Sequence, residues 1–125
     1  MRLLLDSHAV YWWMAGSVRL SETARRLILD TENRLLVSAV TIYEIELKAK
    51  RRRIDLPSQE LRAALRRNAV EDLAITHEHA EYAACLDWEH RDPWDRLLAA
   101  QARLEGCALV SADEVFDGIR VDRQW

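Results

Sequence analysis

Short runs of consecutive apolar residues alternate along the chain with longer segments in which apolar residues recur every three or four positions. The first pattern is typical of strands buried on both faces, and the second is typical of helices that pack one side against a core. Strands are predicted at residues 3–5, 35–37, 73–75 and 107–110, with a half-exposed edge strand at 119–122. Helices are predicted at 8–15, from 21, at 38–50, and from 57, 76 and 92. This alternation predicts an α/β fold in which helices cover both faces of a parallel sheet, a three-layer sandwich.

The segment from residue 90 to residue 102 contains a marked helix start. Asp92 is placed to cap this helix, and Pro93 fits its first position. Asp95 lies in the first turn, where the helix dipole favours negative charge. It also lies beside the apolar stripe, where a carboxylate is unfavourable unless a cation or hydrogen-bond donors satisfy it. Capping therefore explains Asp92, whereas Asp95 requires another explanation.

Three other acids are predicted to lie at the carboxyl edge of the same sheet. Asp6 and Asp113 follow all-apolar strands, and Glu44 lies near the start of the predicted third helix. Folds of this kind bind ligands beyond the carboxyl ends of their strands. Structural interpretations exist as well: Asp6 and Asp113 can each cap the element that follows. Glu44 can complete a capping box with Thr41 or pair with Lys48.

Several carboxylates at one edge repel one another unless a cation neutralises them. Oxygen ligands without Cys or His favour Mg²⁺ or Mn²⁺ over zinc. A metal held in this way activates water and binds phosphate oxygens during an in-line displacement. The sequence therefore predicts a site for Mg²⁺ or Mn²⁺ formed by four acids, Asp6, Glu44, Asp95 and Asp113.

Length and composition indicate one domain that spans residues 1–125. Half of the residues are hydrophobic and 31% are charged, which is ordinary for a globular protein. The first apolar run is too short for a signal peptide, and no segment is long enough to span a bilayer. Cys85 and Cys107 lack the spacing of a zinc or redox site. We therefore expect a cytoplasmic protein that does not associate with membranes.

Basic residues are concentrated in one part of the chain, although the net charge is −3. The net charge argues against extensive nucleic-acid binding, yet five of the six positions from 48 to 53 are basic. This run can grip phosphate, but a solvated helix end explains it as well. A further arginine in the 90–102 segment can hold phosphate or pair with Asp92 or Asp95. The candidate phosphate contacts are Lys48, Arg51, Arg52, Arg53 and Arg96.

Four segments of the sequence resemble the PIN-domain ribonucleases, and most closely the VapC toxins of bacterial type II toxin–antitoxin pairs. They cover nearly the whole chain in order and comprise residues 4–13 (LLDSHAVYWW), 38–45 (SAVTIYEI), 90–102 (HRDPWDRLLAAQA) and 109–113 (LVSAD). The resemblance implies the strand order 3-2-1-4-5, so that the strands before Asp6 and Asp113 are neighbours. Ser111 departs from the family, which often has Thr there, but a hydroxyl is retained.

The resemblance also implies metal-dependent hydrolysis of RNA at an acidic quartet. In that arrangement Asp6, Asp95 and Asp113 coordinate Mg²⁺ or Mn²⁺ directly or through water. Glu44 either completes the coordination or orients the attacking water, and Asp92 matches the capping position. Family members usually form homodimers and are held inactive by a VapB-type antitoxin encoded nearby. The family context favours RNA contact for the basic run.

The adjacent Trp12 and Trp13 bear on the expected partner. They cannot both point into the core from one helix, so we expect at least one to face outward or to join an interface, unless it packs on a neighbouring helix of its own chain.

Other functions remain as alternatives. The first is a PIN-type nuclease that processes RNA without a toxin role. A phospho-accepting receiver domain requires an acidic pair after the first strand and a lysine after the last, and the chain has neither. A phosphatase with an Asp nucleophile requires a second Asp where His8 stands. A binding module would keep the acids without activity.

Overall fold

The computed structural model describes residues 1–51 and 58–125, so the predicted phosphate contacts Arg52 and Arg53 and the predicted helix start at Pro57 lie outside the described residues. The strands are β1 (Arg2–Leu5), β2 (Arg34–Ser38), β3 (Glu71–Leu73), β4 (Ala108–Val110) and β5 (Arg123–Gln124). The helices are α1 (Ser7–Met14), α2 (Glu22–Leu29), α3 (Ala39–Lys50), α4 (Ser58–Arg67), α5 (His77–Ala84) and α6 (Pro93–Leu104), with a short 3₁₀ helix at Glu114–Gly118. Within these ranges no helix has the length and apolar character needed to cross a membrane.

The five strands form one parallel sheet in the order β3-β2-β1-β4-β5, which confirms the predicted order. The central strand is β1, where Leu4 lies opposite Leu36 on one side and Leu109 on the other. All three leucines of this strand are fully buried, as expected for a strand covered on both faces. The strand order changes direction at β1, so the carboxyl ends of β1 and β4 lie side by side, where parallel sheets bind ligands.

Two apolar cores flank the sheet because alternate side chains of β1 point to opposite faces. Leu3 and Leu5 pack against α1, α2, α3 and α4 on one face. On the other face, Leu4 packs with Leu98 of α6 and with Phe116 of the 3₁₀ helix. The elements that carry the predicted acids are therefore held by cores on both sides of the sheet.

Helix caps set the starting points of the helices that carry acids. Asp92 caps α6 as predicted, and its carboxylate accepts a hydrogen bond from the Trp94 amide at 2.9 Å. Ser38 caps α3. This places Glu44 in the middle of α3, so Glu44 does not form the capping box with Thr41 that the sequence allowed. The Thr41 hydroxyl instead donates to the carbonyl of Leu5 at the end of β1, at 3.2 Å.

The two edge strands differ from their predicted positions. The third strand was expected at residues 73–75 but covers Glu71–Leu73, where Glu71 forms a two-point ion pair with Arg34 of the neighbouring strand. The fifth was expected at 119–122 but covers Arg123–Gln124. Ile119 packs into the core instead, and its carbonyl accepts from the Val121 amide in a tight turn. Side-chain packing therefore outweighs the apolar alternation at this edge.

Arg96 of α6 has structural contacts that the sequence did not indicate, and its predicted contact with phosphate stays a prediction. Its guanidinium donates to five backbone carbonyls at 2.7–3.5 Å. Two of these carbonyls belong to the end of α5, and the other three belong to the segment that leads into α6. The acceptors are the carbonyls of Ala83, Ala84, Leu86, Trp88 and His90. Arg96 thus fixes the connection between α5 and α6 because its planar fork reaches several acceptors at once.

We expect Arg96→Lys to lower the free energy of unfolding by about 2–3 kcal/mol, because one ammonium cannot satisfy carbonyls spread over eight residues. Urea denaturation measures this change. The same substitution at the exposed Arg26 of α2 is the control and should change stability by less than about 0.5 kcal/mol. Equal stability of both variants would show that the carbonyl contacts of Arg96 contribute nothing to stability.

Candidate metal and active site

Asp6 lies at the centre of the carboxyl edge, directly after β1. Its side chain is 7% exposed and caps α1 by accepting a hydrogen bond from the Ala9 amide at 2.7 Å. Burial raises the pKa of the Asp6 carboxyl, while the Ser111 hydroxyl and the Ala9 amide oppose the rise. An uncharged Asn caps a helix equally well, so capping alone does not explain an acid at this buried position.

Glu44 approaches the same edge from α3. The hydroxyl of Ser7, the residue after Asp6, donates to Glu44 Oε2 at 3.5 Å. Burial is the main cause that raises the pKa of Glu44 to about 7; Lys48 opposes the rise, and the charges of Asp95 and Asp6 add to it. A carboxyl with this pKa is partly protonated at neutral pH and is suited to exchange a proton there.

Asp95 is held in the first turn of α6, where it accepts from a histidine. The distance from His90 Nε2 to Asp95 Oδ2 is 2.7 Å, and the side chain of Asp95 is 20% exposed. Burial raises the pKa of the Asp95 carboxyl; the hydrogen bond from His90 lowers it, and the nearby charges of Asp92 and Asp113 raise it. Asp95 thus accepts a short hydrogen bond from His90 and is repelled by the negative charges of Asp92 and Asp113.

Asp113 is the most exposed of the four predicted acids. It follows β4 by two residues and caps the 3₁₀ helix, accepting from the Val115 amide at 3.0 Å. Its own amide donates to Ser111 Oγ at 3.1 Å, which fixes the turn after the strand. The Asp113 carboxylate lies close enough to Asp95 and His8 for its charge to raise the pKa of each. Asp113 therefore forms the predicted cap, and its negative charge still lies near the other acids.

Electrostatic coupling links the four acids into one group at the sheet edge. The charges of Asp6 and Asp95 both raise the pKa of Glu44, and the charge of Asp113 raises the pKa of Asp95. Their eight carboxylate oxygens are hard donors, the kind that Mg²⁺ and Mn²⁺ prefer. A divalent cation would offset both the free-energy cost of burying these charges and the cost of their mutual repulsion. These oxygens therefore suit such an ion chemically, but no three of the four acids, all of them among the described residues, have ligand atoms within 4.8 Å of one another.

A second arrangement of possible ligands overlaps this group at the start of α6. One ligand atom each from His90, Asp92 and Asp95 lies within 4.8 Å of the others. A histidine near a helix start is usually a hydrogen-bonded structural residue, and the sequence assigns the capping role to Asp92. The structure places His90 directly on a predicted metal ligand, where it orients the carboxylate. The only signal for this in the sequence is a histidine five residues before Asp95, which is too common to identify a contact.

Of the described residues of the basic run, one lies in this region. Lys48 of α3 is near enough to Glu44 and Asp6 for its charge to lower the pKa of both. Its ammonium donates to His8 Nε2 at 3.2 Å. Arg51 follows the last turn of α3 and is exposed. Among the residues of the run that the structure describes, Lys48 is therefore the one close to the acids.

Comparison with solved structures identifies the fold. The chain has TM-scores of 0.68 with a toxin–antitoxin complex from Klebsiella pneumoniae and 0.70 with VapBC2 from Rickettsia felis bound to a fragment of promoter DNA. The alignment with the Klebsiella complex has 22% identity and covers 94% of this chain and 92% of the other. The alignment with VapBC2 has 14% identity and covers 100% of both chains. VapC20 of Mycobacterium tuberculosis, a toxin that cleaves the sarcin–ricin loop, gives 0.65 at 22% identity, covering 96% of this chain and 97% of that one. These similarities concern the fold.

Sequence comparison identifies the family. The PIN domain family model matches residues 3–121. Over 114 residues the chain is 37% identical to Ribonuclease VapC22 of Mycobacterium tuberculosis (strain ATCC 25618 / H37Rv), an alignment that covers 89% of this chain and 86% of the relative. The motif resemblance, the strand order and these matches agree, and the chain belongs to the PIN-domain family, among its VapC ribonucleases.

Proposed function

We propose that this chain is the toxin of a type II toxin–antitoxin pair and hydrolyses RNA phosphodiester bonds with Mg²⁺ or Mn²⁺ as cofactor. The observation that carries the proposal is the convergence of Asp6, Glu44 and Asp95, three carboxyls with raised pKa values, at one edge of the sheet. The relationship to a protein named Ribonuclease VapC22, at 37% identity, supports RNA as the substrate.

In this proposal Asp6, Asp95 and Asp113 hold the ion, directly or through water. A bound divalent cation would lower the pKa of a water molecule in its coordination sphere and would stabilise negative charge on the phosphate oxygens. The protein contributes rigid ligands: the Ala9 amide fixes the Asp6 carboxylate, and His90 fixes one oxygen of Asp95. Such supporting contacts preserve ligand orientation while the substrate binds and leaves.

Glu44 is proposed to complete the coordination or to orient the attacking water and accept its proton. Hydrolysis adds water across a P–O bond, so one proton leaves the attacking water and one reaches the departing oxygen. A carboxyl with a pKa of about 7 can accept the first of these near neutral pH. The Ser7 hydroxyl on Glu44 Oε2 holds this carboxyl beside Asp6.

A VapB-like antitoxin is the proposed partner, and a homodimer is the proposed form of the chain. Two of the structures with the same fold are a toxin–antitoxin complex and VapBC2. The acidic site would accept an antitoxin arginine, which can form a bidentate pair with a carboxylate. Trp12 and Trp13 both pack against the core and both stay half-buried, so part of each ring is available to a partner.

Removal of the metal should abolish cleavage of RNA. We expect no cleavage in excess EDTA, and recovery on addition of Mg²⁺ or Mn²⁺ but not of Na⁺, measured on a fluorescent single-stranded RNA.

Asp6→Asn should also eliminate cleavage. It should leave the metal-free protein as stable as before or more stable by up to ~1–2 kcal/mol, because Asn keeps the cap and removes repulsion.

The control for Asp6→Asn is Asp72→Asn, the same chemical change at an exposed position of β3. It should leave both cleavage and stability unchanged. Cleavage that persists in EDTA would rule out the metal mechanism. A clear fall in the melting temperature of Asp6→Asn would assign Asp6 a structural role instead.

The raised pKa of Glu44 makes the stability of the metal-free protein depend on pH. The folded state binds a proton at Glu44 more tightly than the unfolded state, with a pKa of about 7 against 4.5. The corresponding stability is present below pH 4.5 and is lost as the pH rises through about 7. Glu44→Gln should therefore gain about 1–2 kcal/mol relative to wild type between pH 5 and pH 8, after allowance for the solvent exposure of Glu44.

Urea denaturation in EDTA at both pH values measures this difference, with Glu46→Gln on the same helix as the control. Addition of Mg²⁺ should reduce the difference, because the ion stabilises the ionised carboxyl. A constant difference between wild type and Glu44→Gln across this pH range would show that Glu44 titrates normally in the folded protein.

Expression of the chain in a bacterial host should arrest growth, and co-expression of the small protein encoded by the neighbouring gene should restore it. Asp6→Asn should be harmless on its own. Sedimentation of the purified chain should show a dimer. Growth arrest that the neighbouring gene does not relieve, or a strict monomer at high concentration, would contradict the proposed partner or the proposed dimer. RNA cleavage without growth arrest would favour the RNA-processing alternative.

A further inference from the structure

A cleft of about 320 Å³ opens beside the acidic site, between α1 and α3. One part of its wall is aromatic and is formed by His8, Tyr11 and Trp12 of α1. Another part is cationic and is formed by Lys48 of α3 and by Arg19, which lies between α1 and α2. The size suits one nucleobase with its sugar rather than a duplex.

The aromatic wall presents a stacked platform. The rings of His8 and Trp12 are nearly parallel, at 13°, with centroids 5.1 Å apart. Trp12 also contacts Trp125, whose ring centroid lies 5.7 Å away at an interplanar angle of 54°. His8 is exposed at the end of this series, while Trp12 is half-buried. Flat rings that are fixed by packing and open on one side are the surfaces on which proteins stack unpaired bases.

The cationic wall places positive charge next to that platform. Lys48 donates to His8 Nε2 at 3.2 Å, which fixes the imidazole edge and holds the ammonium at the mouth of the cleft. Arg19 is exposed, and its charge acts on His8 from another side. A phosphate bound between the two cations would leave the attached base next to His8.

The cleft is continuous with the proposed catalytic site. Ser7 lines the cleft and donates to Glu44. His8 is near enough to Asp6 and Asp113 for both charges to act on it. A strand whose phosphate lies at Arg19 and Lys48 therefore continues directly into the acidic group. This path follows adjacent side chains of α1, Ser7 and His8.

We propose that the cleft is a nucleotide subsite that binds an unpaired base of the RNA adjacent to the bond that is cleaved. The base stacks on His8 and Tyr11, and its phosphate lies between Arg19 and Lys48. The proposal rests on the proposed ribonuclease function and adds a defined place and named residues for the contact with a base, which must be unpaired because a paired base has both faces covered by its neighbours.

Binding of uridine and adenosine RNA hexamers tests the subsite. Each hexamer carries a fluorescent label. A matching set of abasic hexamers is made, each of which lacks the base at one of the positions. The protein is the full-length Asp6→Asn variant, and affinity is measured by fluorescence anisotropy in Mg²⁺. We expect the loss of the base at one or two positions to weaken binding about fivefold or more. In the background of His8→Ala this difference should vanish, whereas His8→Phe should retain it because the flat ring is preserved.

A matched pair of charge variants tests the phosphate contact. Arg19→Gln should weaken the binding of intact and abasic hexamers alike and should reduce the salt dependence of binding. Arg26→Gln removes the same charge from an exposed position of α2 and should change neither. Melting temperatures of all variants establish that they are folded, and His8→Phe supplies the comparison if His8→Ala unfolds.

Equal affinity for intact and abasic hexamers at every position would overturn the subsite. It would also be overturned if His8→Ala and Arg19→Gln left RNA affinity unchanged but released the protein encoded by the neighbouring gene, since the cleft would then be a protein-docking surface. Failure of the ribonuclease function is a separate result, seen as wild-type protein that cleaves no RNA in Mg²⁺ or Mn²⁺. Base-dependent binding without cleavage would retain the subsite and reject that function.

Discussion

The burial of carboxylates at one edge of the sheet is the constraint on which the rest of the site depends. Asp6, Glu44 and Asp95 all have raised pKa values, and burial is the largest cause in each case. Their donors include the Ala9 amide for Asp6, the Ser7 hydroxyl for Glu44 and an imidazole nitrogen of His90 for Asp95. A divalent cation would neutralise the charge of these carboxylates.

The sheet sustains this arrangement because the acids cannot move apart without loss of the core. Asp6 is attached to a strand whose leucines are fully buried, and its own side chain begins the next helix. Asp95 is attached to α6, which Asp92 caps and which Arg96 ties to the preceding segment through five carbonyls. Packing on both faces of the sheet therefore supplies the stability that the acidic edge opposes, an arrangement common where function requires strain.

The sequence predicted what depends on local chemistry and on apolar periodicity, namely the order of the elements, the central strands and the capping by Asp92. The strand order itself came from the family resemblance. Contacts between distant segments were not predictable: the carbonyl cluster around Arg96, the histidine on Asp95 and the hydroxyl on Glu44 all depend on how the helices pack. The edge strands shifted for the same reason, because packing of Ile119 outweighed apolar alternation. A side chain with several possible partners cannot be assigned from spacing alone.

Lys48 lies between the acidic group and the cationic wall of the cleft. On one side its charge lowers the pKa of Glu44, and on the other its ammonium holds His8 at the mouth of the cleft. A polyanion is attracted to the cationic side and repelled by the acids until an ion neutralises them. Binding of the metal and binding of RNA are therefore expected to strengthen each other by the same factor, because linkage between two sites is reciprocal. If the proposed function holds, the acids thus disfavour RNA in the absence of the ion.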